Sequence, residues 1–156
     1  TVDEKLKNVN YFYTPNTEQL LGTVDSLSKL LLAIHPRIVI LDGAIGQFRE
    51  EYLGRGTLAE RQNQIARLMT HIKNISFYFR CVVLFTNQVQ SDPSVMFGDP
   101  VKPIGGNIVA HASTYRVYLK KSGKKRIARM IDSPEHEQKD ASYQLTIRGV
   151  EDAEKA

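Results

Sequence analysis

Cys81-Val82-Val83-Leu84-Phe85, running straight into Thr86-Asn87-Gln88-Val89-Gln90, decides how this chain is read. Five consecutive apolar residues describe a strand buried on both faces, as in a parallel sheet covered by helices. In open α/β sheets ligands bind beyond the carboxyl ends of such strands, so Gln88 falls at a chemically useful edge. Val89 to Gly106 then shows no usable periodicity over roughly 17 residues, and connections of that length in compact domains are usually functional or disordered. Gly105-Gly106 open the short apolar stretch Ile108-Val109-Ala110, which suits a helix whose free backbone N–H groups could face an anion.

Upstream, Ile38-Val39-Ile40-Leu41 is a second buried strand, and it delivers Asp42 ahead of Gly43 and Gly46. A carboxylate at a strand tip can hold the water shell of a magnesium ion near phosphates, and it can equally cap the next turn; spacing alone leaves both open. Val9-Asn10-Tyr11-Phe12-Tyr13 reads as a strand ended by Pro15. Asn16 or Thr17 caps a helix with Leu20, Leu21, Val24, Leu27, Leu31 and Ile34 at helical spacing, closed by Pro36. Thr57-Leu58-Ala59-Glu60 fits a capping box that starts a helix with Leu58, Ile65, Leu68, Met69, Ile72 and Ile75 on its buried stripe. Past the long loop, Tyr115 to Lys121 and Lys125 to Asp132 alternate around Ser122-Gly123, a hairpin signal, and Ser142 to Ile147 supplies one more strand before Gly149. Glu151 to Ala156 read as a loose tail.

With 156 residues the chain holds one core, and we expect a single domain over 1–156. Its 42% hydrophobic and 24% charged residues are ordinary for a globular protein. No apolar run is long enough to span a bilayer and the start is not leader-like, so a soluble intracellular protein is expected. Cys81 is the one cysteine, and it reads as a core residue rather than part of a disulfide framework or metal cluster. The net charge of +4 suits a polyanionic partner without requiring one. Lys120, Lys121, Lys124, Lys125, Arg126 and Arg129 crowd one segment, either as a lysine-guarded sheet edge or as a phosphate-facing surface. Gly54-Arg55-Gly56, flanked by Arg49 and Arg61, is a flexible tip with a planar guanidinium: an exposed turn, or a site for backbone phosphate contacts without base readout.

Taken in order, Phe48 to Gln62, Thr86 to Gln90, Phe97-Gly98-Asp99-Pro100, Pro103 to Ser113, Arg126-Ile127-Ala128-Arg129 and Asp132-Ser133-Pro134 resemble the RecA-like recombinases, specifically the archaeal RadA and eukaryotic strand-exchange branch. The blocks run in family order from about Asn8 to Asp152. The resemblance implies an α/β fold, the C-terminal portion of a RecA-like P-loop NTPase core, whose mixed sheet has parallel strands followed by an antiparallel hairpin with flanking helices. It implies that Asp42 serves Mg2+, that Gln88 senses the γ-phosphate of ATP in catalysis, and that His111, Asp132, Ser133 and Pro134 reach nucleotide across a protomer interface. Arg49, Arg55, Gly56 and Arg61 match the first DNA-binding loop, Val89, Gly105, Gly106 and Asn107 the second, and Lys120 with Arg129 a secondary DNA surface. The implied function is DNA repair and homologous recombination: single-stranded DNA binding and, in a complete protein, ATP-dependent filaments that pair homologous strands. Partners would be single- and double-stranded DNA, further copies of the chain and other recombination mediators, with no membrane, in archaeal cytoplasm or in the nucleus of a eukaryote.

Departures from the family are equally legible. No G-x-x-x-x-G-K-[ST] occurs; the one Gly-Lys pair, Gly123-Lys124, has Tyr118 where the first glycine belongs. In the family that loop, its strand and the catalytic glutamate precede the segment matched by Thr1, so ATP and Mg2+ are not expected to bind tightly to this chain, nor ATP to be hydrolysed well. The absent strand would lie between those matching Cys81 to Thr86 and Tyr115 to Lys121, which are then expected to pair directly, to recruit a strand from another chain, or to await an upstream half. Gly43 stands where the family usually has a hydroxyl, Glu135-His136-Glu137-Gln138 follows Pro134 in place of a second proline, and Asn10 and Phe12 occupy a pocket that in the family takes a neighbour's phenylalanine. A non-catalytic recombinase paralogue that regulates filaments is the alternative, and a plain structural fragment the third reading.

Overall fold

A computed structural model of the chain describes residues 4, 6–54, 56–91, 101–123 and 125–153. The chain divides into two compact units, Thr1–Val109 and Ala110–Ala156. In the first, α1 (Thr17–Ile34), β1 (Ile38–Leu41), α2 (Ala44–Glu51), α3 (Leu58–Phe79) and β2 (Val82–Phe85) follow one another. A short ladder, β3 (Val89–Ser91) with β4 (Val101–Pro103), leads into α4 (Gly106–Ala112).

Each helix begins and ends for a local reason. Asn16 is extended and its side-chain oxygen accepts the Gln19 N–H at 2.8 Å, satisfying one orphan donor of α1. His35 closes the helix in the left-handed region, its N–H donating to the Leu31 carbonyl at 3.0 Å. A second device holds the same N-terminus: Glu51, at the end of α2, accepts the Thr17 N–H at 2.9 Å and the Thr17 hydroxyl as well. Asp25 ties α1 to α3 through Arg67 at 2.5 Å and His71 Nδ1 at 2.8 Å. Ile65, Leu68, Met69, Ile72 and Ile75 form the buried stripe of α3, against which Ile45 and Phe48 of α2 are 0% exposed.

Leu58 is exposed, and Thr57 forms no capping box: its hydroxyl donates back to the carbonyls of Leu53 (2.9 Å) and Gly54 (3.3 Å), because Thr57 at φ −98°, ψ 3° is not extended as a capping residue must be. Val9 to Tyr13 forms no ladder among the described residues, since no described strand runs beside it to take its hydrogen bonds. The strands β1 and β2 do pair in parallel, Ile38 opposite Val82 through Leu41 opposite Phe85, but they make a two-stranded sheet covered on one face. Ile38, Ile40, Val82 and Leu84 share the other face and stand 47%, 59%, 62% and 49% exposed. Burial on both faces therefore fails because nothing among the described residues covers the second.

The second unit is an antiparallel meander of β5 (Arg116–Ser122), β6 (Lys125–Asp132), β7 (Asp140–Thr146) and β8 (Gly149–Asp152). The expected hairpin closes at Ser122 opposite Lys125, with Gly123 at φ 59°. Glu151 and Asp152 lie in β8 rather than in a loose tail: Gly149, at φ 113°, turns the chain so that Thr146 faces Gly149 and the acidic segment is carried into the ladder. The strands β2 and β5 belong to separate sheets.

Candidate functional site

Parallel pairing of β1 with β2 brings the ends of both strands to one edge. Asp42 leaves β1 there, and Thr86, Asn87 and Gln88 leave β2. The Thr86 N–H donates to the Leu41 carbonyl at 3.0 Å, extending the ladder by one step. Its hydroxyl meets Asp42 Oδ1 at 2.5 Å, and the Gly43 N–H donates to that hydroxyl oxygen at 2.8 Å. Gly43 itself sits at φ 69°, a left-handed turn that swings the chain from the strand tip into α2.

The long loop is anchored at both ends beside this edge. Asn87 Nδ2 donates to the Ile104 carbonyl at 2.7 Å and the Ile104 N–H donates to the Gln88 carbonyl at 3.0 Å. Ile104 is buried, and Gly105 at φ 87° lies so close to α2 that a Cβ there would stand 2.4 Å from Val109 Cγ2 and 3.3 Å from Ile45 Cγ2. Val89 begins β3, Gly106 and Asn107 are exposed in the first turn of α4, and Gln88 presents an exposed side chain. α4 has seven residues, too short for its N-terminus to stand as an anion site by itself.

Of the basic residues expected to meet DNA, Arg49 is exposed in the last turn of α2 and Arg61 half-buried in the first turns of α3. Gly56 is exposed between these helices, while Arg55 and the Phe97 to Pro100 block lie outside the described residues. In the second unit, His111 is exposed at the end of α4. Asp132 pairs with Arg116, whose Nε and Nη2 lie 3.3 and 2.8 Å from Oδ2. Ser133 Oγ accepts the N–H groups of Glu135 (3.2 Å) and His136 (2.9 Å) and Pro134 is exposed, a local turn with the His136 ring edge-on to Tyr115. Arg129 makes a fork-to-fork pair with Asp140, both contacts at 2.7 Å, so a phosphate would have to compete for it. That guanidinium, with a smaller contribution from Lys120, holds the Asp140 carboxyl below its ordinary range.

The contact of Thr86 with Asp42 is not legible in the sequence, because a hydroxyl that acts across 44 positions leaves no local spacing to detect. Among the described residues no group of three or more His, Cys, Asp or Glu could hold a metal ion. A cation at Asp42 would complete its shell from water and phosphate oxygen, which fits Mg2+.

A parallel strand pair with a carboxylate and a polar triplet at one edge, followed by an anchored loop and an antiparallel meander, fits a RecA-like α/β fold. The Rad51 family model matches residues 1–153, and the chain belongs to that family. It is 45% identical over 140 residues to the DNA repair and recombination protein RadA of Cenarchaeum symbiosum, covering 89% of this chain and 35% of that relative. With the protein of the same name from Methanocorpusculum labreanum it shares 42% identity over 156 residues, 96% of this chain and 47% of the relative. The chain thus spans less than half the length of these curated relatives. No described helix is long and apolar enough to cross a membrane.

Proposed function

We propose that this chain is the metal-side and DNA-side part of a RadA-like recombinase, matching the C-terminal portion of a RecA-like core. The observation that carries the reading is the meeting of Asp42 with Thr86 at the strand edge, directly ahead of Gln88 and the anchored loop. Asp42 would hold Mg2+, which when bound neutralises phosphate charge; Gln88, able to donate and accept at once, would sense the terminal phosphate of ATP. His111 and Asp132 to Pro134 would face nucleotide held by a neighbouring copy. Arg49, Arg55, Gly56 and Arg61, with Val89, Gly105, Gly106 and Asn107, would contact the backbone of single-stranded DNA, so binding is salt-sensitive and indifferent to sequence. The process served is DNA repair and homologous recombination inside the cell, with DNA, further copies and recombination mediators as partners.

A filament-regulating paralogue is the second reading, favoured by one observation: Asp132 is engaged by Arg116, and Ser133 to His136 fold into a self-contained turn. DNA-stimulated ATP hydrolysis by the full-length protein separates the two. The recombinase reading expects turnover abolished by Asp42→Ala; no turnover together with tight filament binding favours the paralogue. The 156-residue chain alone is expected to hydrolyse ATP negligibly, because it contains no phosphate-cradling loop motif.

A further inference from the structure

The Thr86 hydroxyl has a single proton, and its direction is fixed by its two neighbours. The Gly43 N–H occupies one lone pair of the hydroxyl oxygen at 2.8 Å. An ionised Asp42 carboxylate can only accept, so the proton points at Oδ1, 2.5 Å away. The backbone of Thr86 is pinned as well, through its N–H to Leu41. One residue therefore holds the strand that carries Asp42, the turn that follows it and one oxygen of its carboxylate. Asp42 is otherwise exposed, and an exposed carboxylate with no such hold would sample several rotamers.

We propose that Thr86 is the positioning residue for the Asp42 carboxylate: it commits Oδ1 to the protein and presents Oδ2 outward in one orientation for a divalent cation or its water shell. This rests on the proposed metal role of Asp42. A neighbour that fixes a ligand's orientation without touching the metal typically changes metal affinity by 10- to 100-fold on removal. Asn87, the next residue along, donates from Nδ2 to the Ile104 carbonyl at 2.7 Å, so the residue after Thr86 is held as well.

The test uses the full-length protein with Mn2+ and a non-hydrolysable ATP analogue, following free Mn2+ by electron paramagnetic resonance. Thr86→Val should weaken Mn2+ binding about 10-fold, and Thr86→Ser should restore it. In parallel, hydrogen exchange at the Gly43 amide should quicken in Thr86→Val and return to the wild-type rate in Thr86→Ser. Should Thr86→Val not fold, Thr86→Ala carries the same comparison. Wild-type Mn2+ affinity in the valine or alanine variant, while Asp42→Ala binds weakly, overturns the positioning role and leaves the metal reading standing. Wild-type affinity in Asp42→Ala overturns both.

Discussion

Gly105 has no room for a side chain. At φ 87°, where a methyl group would stand only 2.4 Å from Val109 and 3.3 Å from the fully buried Ile45, alanine would meet both backbone strain and overpacking. Gly105→Ala is expected to cost about 1–3 kcal/mol, measurable by chemical denaturation of a folded full-length protein. Asp140 gives a pH-dependent counterpart. The Arg129 fork lowers its pKa below 3.8, so its contribution is fully present above the unfolded value and is lost as pH falls from 3.8 through the lower folded value. A carboxyl-carbon NMR titration should find the midpoint below 3.8 and see it rise in Arg129→Gln. At this scale the sequence was partly transparent. That Asp42 and Gln88 follow strands could be read because an apolar run precedes each, and the turn at Gly105 because glycine pairs are conspicuous. The contact of Thr86 with Asp42 and the Arg129–Asp140 fork could not, since each depends on a partner that only the folded chain brings near.

Between elements, the informative link is Glu51 reaching from the end of α2 to the start of α1. Thr17 is buried, so removing that carboxylate leaves an N–H and a hydroxyl without their partner. Glu51→Ala is expected to destabilise by about 1–2 kcal/mol, with Glu51→Gln recovering part of it, as thermal unfolding would record. Arg55→Ala should weaken single-stranded DNA binding and reduce the salt slope by about one, read by fluorescence anisotropy across a salt series; an unchanged slope and affinity would remove Arg55 from the interface. The two long helices α1 and α3 were legible, five buried residues of α3 recurring at helical spacing, whereas the short α2 was not foreseen. The strand expected at Val9 to Tyr13 and the omission of β8 share one cause, that a ladder requires a partner. Val9 to Tyr13 has suitable residues and no neighbour among the described strands, whereas the acidic β8 has a neighbour supplied by the turn at Gly149.

For the whole molecule, the decisive fact is uncovered apolar surface. Parallel sheets are normally buried on both faces and two strands alone are marginal, yet Ile38, Ile40, Val82 and Leu84 are open on one side. In the meander, Val117, Leu119, Leu145 and Val150 share one face and are each more than half exposed. The 156-residue chain on its own should bind an apolar dye such as ANS and self-associate as concentration rises, whereas the full-length protein should do neither to the same degree. A clean, dye-silent monomer would overturn this. Fold class was readable because runs of aliphatics flanked by helices have few other meanings, but the open faces were not, since a sequence that asks for cover does not say whether cover is there. The two units are also expected to differ in tempo. Every pairing in the meander joins strands that are neighbours in sequence, whereas β1 must find β2 across α2 and α3. Contact-order arguments then make the meander the early structure and the β1–β2 edge a late one, so the carboxylate and hydroxyl that define the candidate site come together only near the end of folding.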